Sequence, residues 1–310
     1  MSLILDAVLF SVGLGLLIFG ADGLVRGGSS VANRFGISPL VIGLTIVSFG
    51  TSAPELVVSG VASYKGDGEI ALGNVLGSNL LNGLIVLGAT AMLCPILVRE
   101  KTIRRDIPLV VLVTALAWFF ASSGTISRLE GFLLVSLVVP YLWMLYQAER
   151  GAPQEKLPSG PVHAAVIAIV AGVALLVIGG QFVVDHGSAI AAEFGVSDRV
   201  IALTLVAMGT SAPELATGLV AAYRREVDLA VGNVVGSNML NLLLILGLSA
   251  VIRPIGVVAS ALRVDFPILL AATAFLLPLT WTGRRIHRWE GIILIGAYLA
   301  YVVFLLLVTG

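Results

Sequence analysis

One stretch of this chain occurs twice, and the two copies are separated by a constant distance. The first copy occupies residues 50–82 and the second occupies residues 209–241, so residue 50 aligns with residue 209 at an offset of 159. Each copy places a glutamate directly after a proline, at Glu55 and at Glu214, within an otherwise apolar segment. A carboxylate is costly inside a lipid bilayer, so its presence in such a segment indicates a functional site.

The composition is typical of a protein that lies mostly in lipid. Hydrophobic residues make up 58% of the 310 residues, charged residues make up only 12%, and the mean hydropathy is +1.05. Soluble domains contain about 25% charged residues. The single cysteine, Cys94, excludes an intramolecular disulfide and a cysteine-rich metal site. We therefore predict an all-α polytopic membrane protein.

Ten apolar segments that are long enough to cross a bilayer can be placed along the chain. They cover residues 3–26, 38–64, 70–95, 106–122, 129–147, 163–185, 198–223, 229–251, 264–282 and 289–309. A short polar segment separates the first five from the last five. We therefore predict two five-helix repeats, residues 1–148 and 161–310, joined by a cytoplasmic linker at residues 149–160.

An odd number of spans in each repeat places the two repeats in opposite orientations in the membrane. With the N-terminus outside the cell, most of the 18 lysines and arginines fall in cytoplasmic loops. This bias predicts that both termini are extracellular or periplasmic in a multi-pass protein of the cell (inner) membrane. It also predicts an inverted-topology repeat, an architecture in which substrates bind near the middle of the membrane.

The second and seventh spans are predicted to be broken helices. Proline has no N–H to donate to the carbonyl four residues earlier. Broken backbone at membrane depth is tolerated where it lines protein or a watery cavity, so the freed carbonyls are candidate cation ligands. The helix-breaking residues of the two copies are Gly50, Pro54, Gly209 and Pro213. The polar groups at the breaks are the carbonyls of residues 48–51 and 207–210 and the side chains of Thr51, Thr210, Glu55 and Glu214.

The third and eighth spans each carry a polar stripe with a spacing of four residues. The stripes consist of Asn74, Ser78 and Asn82 in the third span and Asn233, Ser237 and Asn241 in the eighth. Carboxylate, hydroxyl, amide and carbonyl oxygens are hard ligands that suit Ca2+ or Na+ better than zinc or copper. We therefore predict one cation site shared by the four spans.

A single polar residue in a membrane helix more often joins neighbouring helices than binds an ion. Asn79 and Asn238 lie off the stripes, and we interpret them as such inter-helix contacts. Asp6, Asp22 and Asp185 lie near the ends of spans, where acidic residues are commonly interfacial. The histidines do not have the spacing of metal ligands.

The repeated motif GTSAPE followed by GNVxGSNxLN closely resembles the α-repeats of sodium/calcium exchangers in the cation/Ca2+ exchanger superfamily. The resemblance covers nearly the whole chain and implies the prokaryotic minimal form, because the central linker is short. It implies an antiporter that exchanges Na+ for Ca2+ by alternating access, with spans one and six sliding over the rest. It also implies electrogenic exchange of three Na+ for one Ca2+.

The resemblance assigns cation-binding roles to individual positions. The implied ligands are Glu55, Glu214, Thr51, Thr210, Ser52, Ser211, Ser78, Ser237, Asn82, Asn241 and the carbonyls of Ser48 and Ala207. Potassium-dependent relatives have aspartate where this chain has Asn241, so we expect exchange that does not need K+. We expect no cofactor, no nucleic acid and no obligate protein partner; the partners are Ca2+, Na+ and the lipid bilayer.

The sequence leaves other functions open. Oxygen ligands accept Mn2+ as well as Ca2+, and a related exchanger could couple to H+ instead of Na+. Proton/calcium exchangers of the superfamily carry a GNAVE-type signature where this chain has GTSAPE. An intramembrane enzyme is the remote alternative, but no HExxH, GxSxG or other catalytic motif occurs.

Overall fold

The computed structural model describes residues 3–149, 161–195, 207–281 and 283–309, and these residues are almost entirely helical. The α-helices are α1 (Leu3–Phe35), α2 (Pro39–Ile42), α3 (Ser48–Thr51), α4 (Ala53–Lys65), α5 (Gly68–Leu81), α6 (Leu87–Leu93), α7 (Ile107–Ala121), α8 (Arg128–Ser136), α9 (Val138–Glu149), α10 (Val162–Glu193), α11 (Ala207–Thr210), α12 (Ala212–Tyr223), α13 (Val227–Leu240), α14 (Leu246–Ile252), α15 (Phe266–Trp281) and α16 (Arg288–Thr309). The described residues also contain five π-helical turns: π1 (Gly43–Val47), π2 (Asn82–Val86), π3 (Thr102–Asp106), π4 (Asn241–Ile245) and π5 (Ala261–Asp265).

The predicted spans coincide with these helices. Within the described residues, seven helices are long and apolar enough to cross a membrane, and α2–α3 with α4 form an eighth, bent span. The fourth predicted span is helical over residues 102–121. The seventh is helical from Ala207 to Tyr223, and residues 198–206 lie outside the described part of the chain. The all-helical membrane fold is confirmed, and the count of ten spans remains a prediction.

The two longest helices, α1 and α10, pack against each other in antiparallel directions. A Cβ atom added at Gly20 would lie 2.8 Å from the Gly172 carbonyl oxygen, and one added at Gly13 would lie 3.0 Å from that of Gly179. Only glycine allows backbones to approach so closely. Gly13 and Gly20 align with Gly172 and Gly179 at the offset of 159, so the two contacts are exchanged by a two-fold rotation. An axis that reverses the helix direction is consistent with the predicted inverted repeat.

Short β-strands at the ends of the spans also pair between the two repeats. The strands are β1 (Ile96–Leu97), β2 (Thr125–Ile126), β3 (Ile255–Gly256) and β4 (Arg285–Ile286). β1 pairs antiparallel with β4, and β2 pairs antiparallel with β3, so each strand of the first repeat binds one of the second. The sequence did not predict these strands, because two-residue strands in loops leave no periodic pattern.

The central part of the fold consists of the third and eighth spans. Residues in the most apolar windows of these two spans are 72% and 78% buried, compared with 22% for α1. Each central span contains one π-helical turn, π2 or π4, that begins at an asparagine of the polar stripe. Such turns widen a helix locally and often occur at functional sites.

Candidate cation-binding site

The second span is broken beside its glutamate, as the sequence predicted. The axes of Pro39–Thr51 and Ala53–Lys65 differ by 49°, and Ser52 lies at the break. In the other repeat Ser211 separates α11 from α12 in the same way. Glu55 and Glu214 therefore lie in the first turns of α4 and α12, where the helix dipole favours a negative charge.

Both carboxylates are fully buried, and each is held by a hydroxyl from the other repeat. Ser211 donates its hydroxyl to Glu55 Oε1 at 3.2 Å, and Ser52 donates to Glu214 Oε1 at 3.0 Å. This reciprocity follows from the two-fold relation and brings the two motifs together at one place.

Each carboxylate also accepts a hydrogen bond from the polar stripe of its own repeat. Ser78 donates to Glu55 Oε1 at 3.5 Å, and Ser237 donates to Glu214 Oε1 at 3.4 Å. The second oxygen of each carboxylate, Oε2, has no hydrogen-bond partner among the described residues, although it is buried. A buried carboxylate oxygen without a partner is an acceptor that a cation can use.

The two threonines connect the breaks to the stripes across the two-fold axis. Thr51 donates to Asn233 Oδ1 at 3.1 Å, and Thr210 donates to Asn74 Oδ1 at 3.3 Å. Thr51 Oγ1 also lies 3.4 Å from the hydroxyl of Ser237. The structure therefore brings both threonines into the cluster that the glutamates form.

The backbone carbonyl of Ser48 differs from the expectation of a freed group. It accepts the Ser52 N–H at 2.9 Å, and the Thr51 hydroxyl also lies within hydrogen-bond distance of it, at 3.3 Å. The carbonyl of Gly50 loses its usual donor, because Pro54 has no N–H. Ala207 begins α11, and its side chain lies outside the described atoms.

The last two predicted side-chain ligands, Asn82 and Asn241, make no hydrogen bond to the glutamates or threonines among the described residues. Asn82 and Asn241 are fully buried at the first residues of π2 and π4. Asn82 makes no side-chain hydrogen bond within the described residues, and Asn241 uses only its amide nitrogen. The π-helical turns were not predicted, since the sequence around both asparagines is ordinary apolar helix.

A cavity of about 390 Å³ reaches the site from one side of the molecule. Its walls include Val57 and Val58 of α4, Gln181 of α10, and Thr210 and Pro213 at the second break. Val57 and Gln181 are exposed, so the cavity opens to the surface. Thr210 lines this cavity and is only half-buried, so it is accessible from this side.

The equivalent position on the other side of the molecule is closed. α1 packs along α12 there, and Ala21, Leu24 and Val25 are fully buried in an apolar cluster. Asp22 accepts hydrogen bonds from Arg224, which directly follows α12, and from Arg26, whose Nε lies 2.9 Å away. The sequence placed Asp22 at an interface with lipid headgroups and missed this ion pair, because its repeat counterpart is the neutral Gln181.

Known proteins match nearly the whole length of this chain. The family model described as "Sodium/calcium exchanger protein" matches residues 5–147 and again residues 164–307. The candidate antiporter CaxA of Alkalimonas amylolytica is 44% identical, with 94% of this chain and 95% of that protein aligned. The inner membrane protein YrbG of Escherichia coli is 36% identical, with 98% and 97% aligned.

A solved structure has the same fold. The sodium-calcium exchanger NCX_Mj, soaked with 10 mM Na+ and 10 mM Sr2+, superimposes with a TM-score of 0.86 and is 31% identical. The superposition covers 97% of this chain and 99% of that one.

Proposed function

Since the chain belongs to the sodium/calcium exchanger protein family, whose members exchange cations and are not enzymes, we propose that it is a secondary antiporter that exchanges Na+ for Ca2+ across the cell membrane. One observation carries the proposal. Two fully buried carboxylates from opposite repeats each keep one oxygen without a protein partner among the described residues. Their two charges neutralise one divalent cation, and the surrounding hydroxyls and amides supply neutral oxygens.

The proposed ligands are the predicted ones. Glu55 and Glu214 would bind both ions, Thr51 and Thr210 would assist Ca2+, and neutral oxygens would hold Na+. The neutral ligands are Ser52, Ser211, Ser78, Ser237, Asn82, Asn241 and the carbonyls of Ser48 and Ala207. Hard oxygen ligands of this kind suit these ions and need no cofactor.

Ion flux in reconstituted vesicles tests the proposal directly. Purified protein in vesicles loaded with Na+ should take up Ca2+ when the outside lacks Na+, and uptake should slow when Na+ is equal on both sides, because only the Ca2+ gradient then remains. The alternatives predict different results: a proton-coupled exchanger needs a pH gradient instead, and a manganese transporter prefers Mn2+ over Ca2+ in direct competition. Uptake that follows only the pH gradient would contradict coupling to Na+.

We further propose that transport proceeds by alternating access. The two-fold relation makes the cavity beside α4 and the closed contact of α1 with α12 counterparts of each other. If each repeat adopted the conformation that the other repeat now has, the cavity beside α4 would close and the side between α1 and α12 would open. The site itself would stay in place. With the termini outside, the cavity faces the cell exterior and Asp22 lies on the cytoplasmic side. This orientation also assigns residues 1–148 and 161–310 to opposite repeats and residues 149–160 to a cytoplasmic linker.

The ion pair between Asp22 and Arg224 should stabilise the outward-facing state, because it joins α1 to α12 only while the inner side is closed. We expect Asp22→Asn to slow the labelling of a cysteine placed at Val58, which lines the outer cavity, by about two- to five-fold. The measurement uses a membrane-impermeant maleimide applied from outside, in a Cys94→Ser background.

Asp228→Asn provides the matched control. Asp228 pairs with Arg99, and neither residue belongs to α1 or α10. Asp228→Asn removes a similar ion pair but leaves the contact between α1 and α12 unchanged. The labelling rate should therefore stay within about 1.5-fold of the parent. Equal slowing by Asp22→Asn and Asp228→Asn would contradict the proposal that Asp22 helps to keep the inner side closed.

Potassium should be dispensable for exchange. Asn241 carries no charge, and Glu55 and Glu214 together balance one Ca2+, so no acid remains to accompany an additional monovalent cation. We expect the same initial rate of Ca2+ uptake with K+ or with choline as the background cation. A rate that rises several-fold with K+ would show that another group near the site carries charge.

A further inference from the structure

The two asparagines that lie off the polar stripes form a reciprocal contact between the central spans. Asn79 donates its side-chain amide to the Asn238 carbonyl at 3.3 Å, and Asn238 donates its amide to the Asn79 carbonyl at 3.3 Å. Both side chains are almost fully buried. The contact joins α5 to α13, in agreement with the inter-helix role that the sequence suggested.

Asn79 makes one further hydrogen bond that its counterpart does not make. Its Oδ1 accepts the amide nitrogen of Asn241 at 3.0 Å. The symmetric bond would join Asn82 to Asn238, but Asn82 Nδ2 and Asn238 Oδ1 both lack partners within the described part of the chain. The two central asparagines of the site are therefore held differently, although their sequences repeat.

The extra bond determines which atom Asn241 presents. The amide nitrogen of Asn79 is committed to a backbone carbonyl, so its oxygen cannot exchange places with the nitrogen without loss of that bond. The Asn79 oxygen then binds the nitrogen of Asn241 and leaves Asn241 Oδ1 as the unpartnered atom. Asn241 shares its helical face with Asn233 and Ser237, which contact the threonine and the carboxylate of the site.

We propose that Asn79 is a positioning residue that orients the Asn241 amide with its oxygen toward the transported cation. This inference rests on the proposed function and deepens it, since it names what fixes one neutral ligand of the same site. A rotated amide would present an N–H₂ group, which repels a cation. Asn238 performs no such task for Asn82, so the two positions of a symmetric contact differ in function.

Asn238→Ala is the matched control for Asn79→Ala. Both variants lose the amide bond to the facing backbone carbonyl, but only Asn79→Ala releases Asn241. We expect Asn79→Ala to raise the KM for Ca2+ about five-fold with a maximal rate within about two-fold of the parent, and Asn238→Ala to change KM by less than about two-fold. In an Asn241→Ala background, the effect of Asn79→Ala on KM should fall below about two-fold, because Asn79 acts through Asn241.

A purely structural role for Asn79 predicts other results: equal KM changes in the two alanine variants, or effects that multiply in the Asn79→Ala, Asn241→Ala double variant. Either result would overturn the proposal. If Asn79→Ala does not assemble, Asn79→Ser takes its place, because a short hydroxyl cannot reach both partners of the amide.

Binding is measured separately from exchange so that the two proposals can fail independently. The rise in unfolding temperature with added Ca2+ in detergent reports binding alone, and it should show the same difference between the Asn79 and Asn238 variants. Parent protein that binds Ca2+ but does not exchange it for Na+ would contradict the proposed function. The role of Asn79 would then be tested by the Ca2+-dependent rise in unfolding temperature of the Asn79 and Asn238 variants. Parent protein that shows no Ca2+-dependent shift would contradict both.

Discussion

Glu55→Gln and Glu214→Gln are each expected to lower Na+-driven Ca2+ uptake by at least about 100-fold. Each glutamate is fully buried and would supply half of the negative charge of the proposed site. Loss of one leaves a divalent cation with an uncompensated charge in a low-dielectric environment, and breaking a buried charge pair costs about 3–5 kcal/mol. The measurement is the initial rate of Ca2+ uptake into Na+-loaded vesicles that contain equal amounts of each variant.

The glutamine variants should remain folded, and this separates loss of binding from loss of structure. Glutamine has nearly the same shape as glutamate, and its oxygen can still accept the hydroxyls of Ser211 or Ser52. The unfolding temperature without Ca2+ should therefore not decrease, while the rise that Ca2+ produces in the parent should be absent. Glu69→Gln, on the exposed first turn of α5, is the control and should transport normally. Near-normal uptake by either site variant would show that the cation binds elsewhere.

The repeat made the meeting of Glu55 and Glu214 predictable from the sequence. Two identical motifs in repeats of opposite orientation must come together near the axis that relates them. The sequence also predicted the breaks, because Pro54 and Pro213 have no N–H to donate to the carbonyl four residues earlier. It could not predict that Ser52 and Ser211 bind the carboxylate of the opposite repeat, since that pairing depends on how closely the two breaks approach.

The π-helical turns at Asn82 and Asn241 show a limit of local pattern. Residues in π-helical and α-helical turns have the same apolar composition in these spans, so periodicity does not separate them. The turns arise where the central spans must accommodate each other in the packed core. Tertiary packing therefore determines the local backbone conformation at two of the predicted site residues.

The difference between the two sides of the molecule was also beyond the sequence. Asp22 and Gln181 occupy equivalent positions, yet one forms an ion pair in a closed contact and the other lines an open cavity. Because the two repeats have similar sequences, either side of the molecule could be the open one, and the sequence does not show which side is open. Asp22, which has the neutral Gln181 as its counterpart, is one non-repeated residue whose ion pair distinguishes the two sides, and that contact is visible only in the structure.

Exchange should be electrogenic, with three Na+ moving against one Ca2+. Two Na+ would balance the charges of Glu55 and Glu214, but the site contains many more neutral oxygens than two sodium ions need. Neutral hydroxyls, amides and carbonyls can hold a third Na+ at modest Coulomb cost if the ions are spaced along the cavity. Each cycle then moves one net positive charge with sodium, which is worth about 2.3 kcal/mol per 100 mV.

The membrane potential should therefore change Ca2+ accumulation by about 50-fold per 100 mV at equilibrium. In Na+-loaded vesicles, net positive charge leaves as Ca2+ enters, so an interior-positive potential should speed uptake and an interior-negative potential should slow it. Valinomycin with a K+ gradient in either direction sets the potential, and equal K+ on both sides with valinomycin provides the control at zero potential. The same sign means that the negative interior of a cell would help to expel Ca2+. Uptake that does not respond to the potential, together with a measured ratio of two Na+ per Ca2+, would show instead that the two glutamates alone set the stoichiometry.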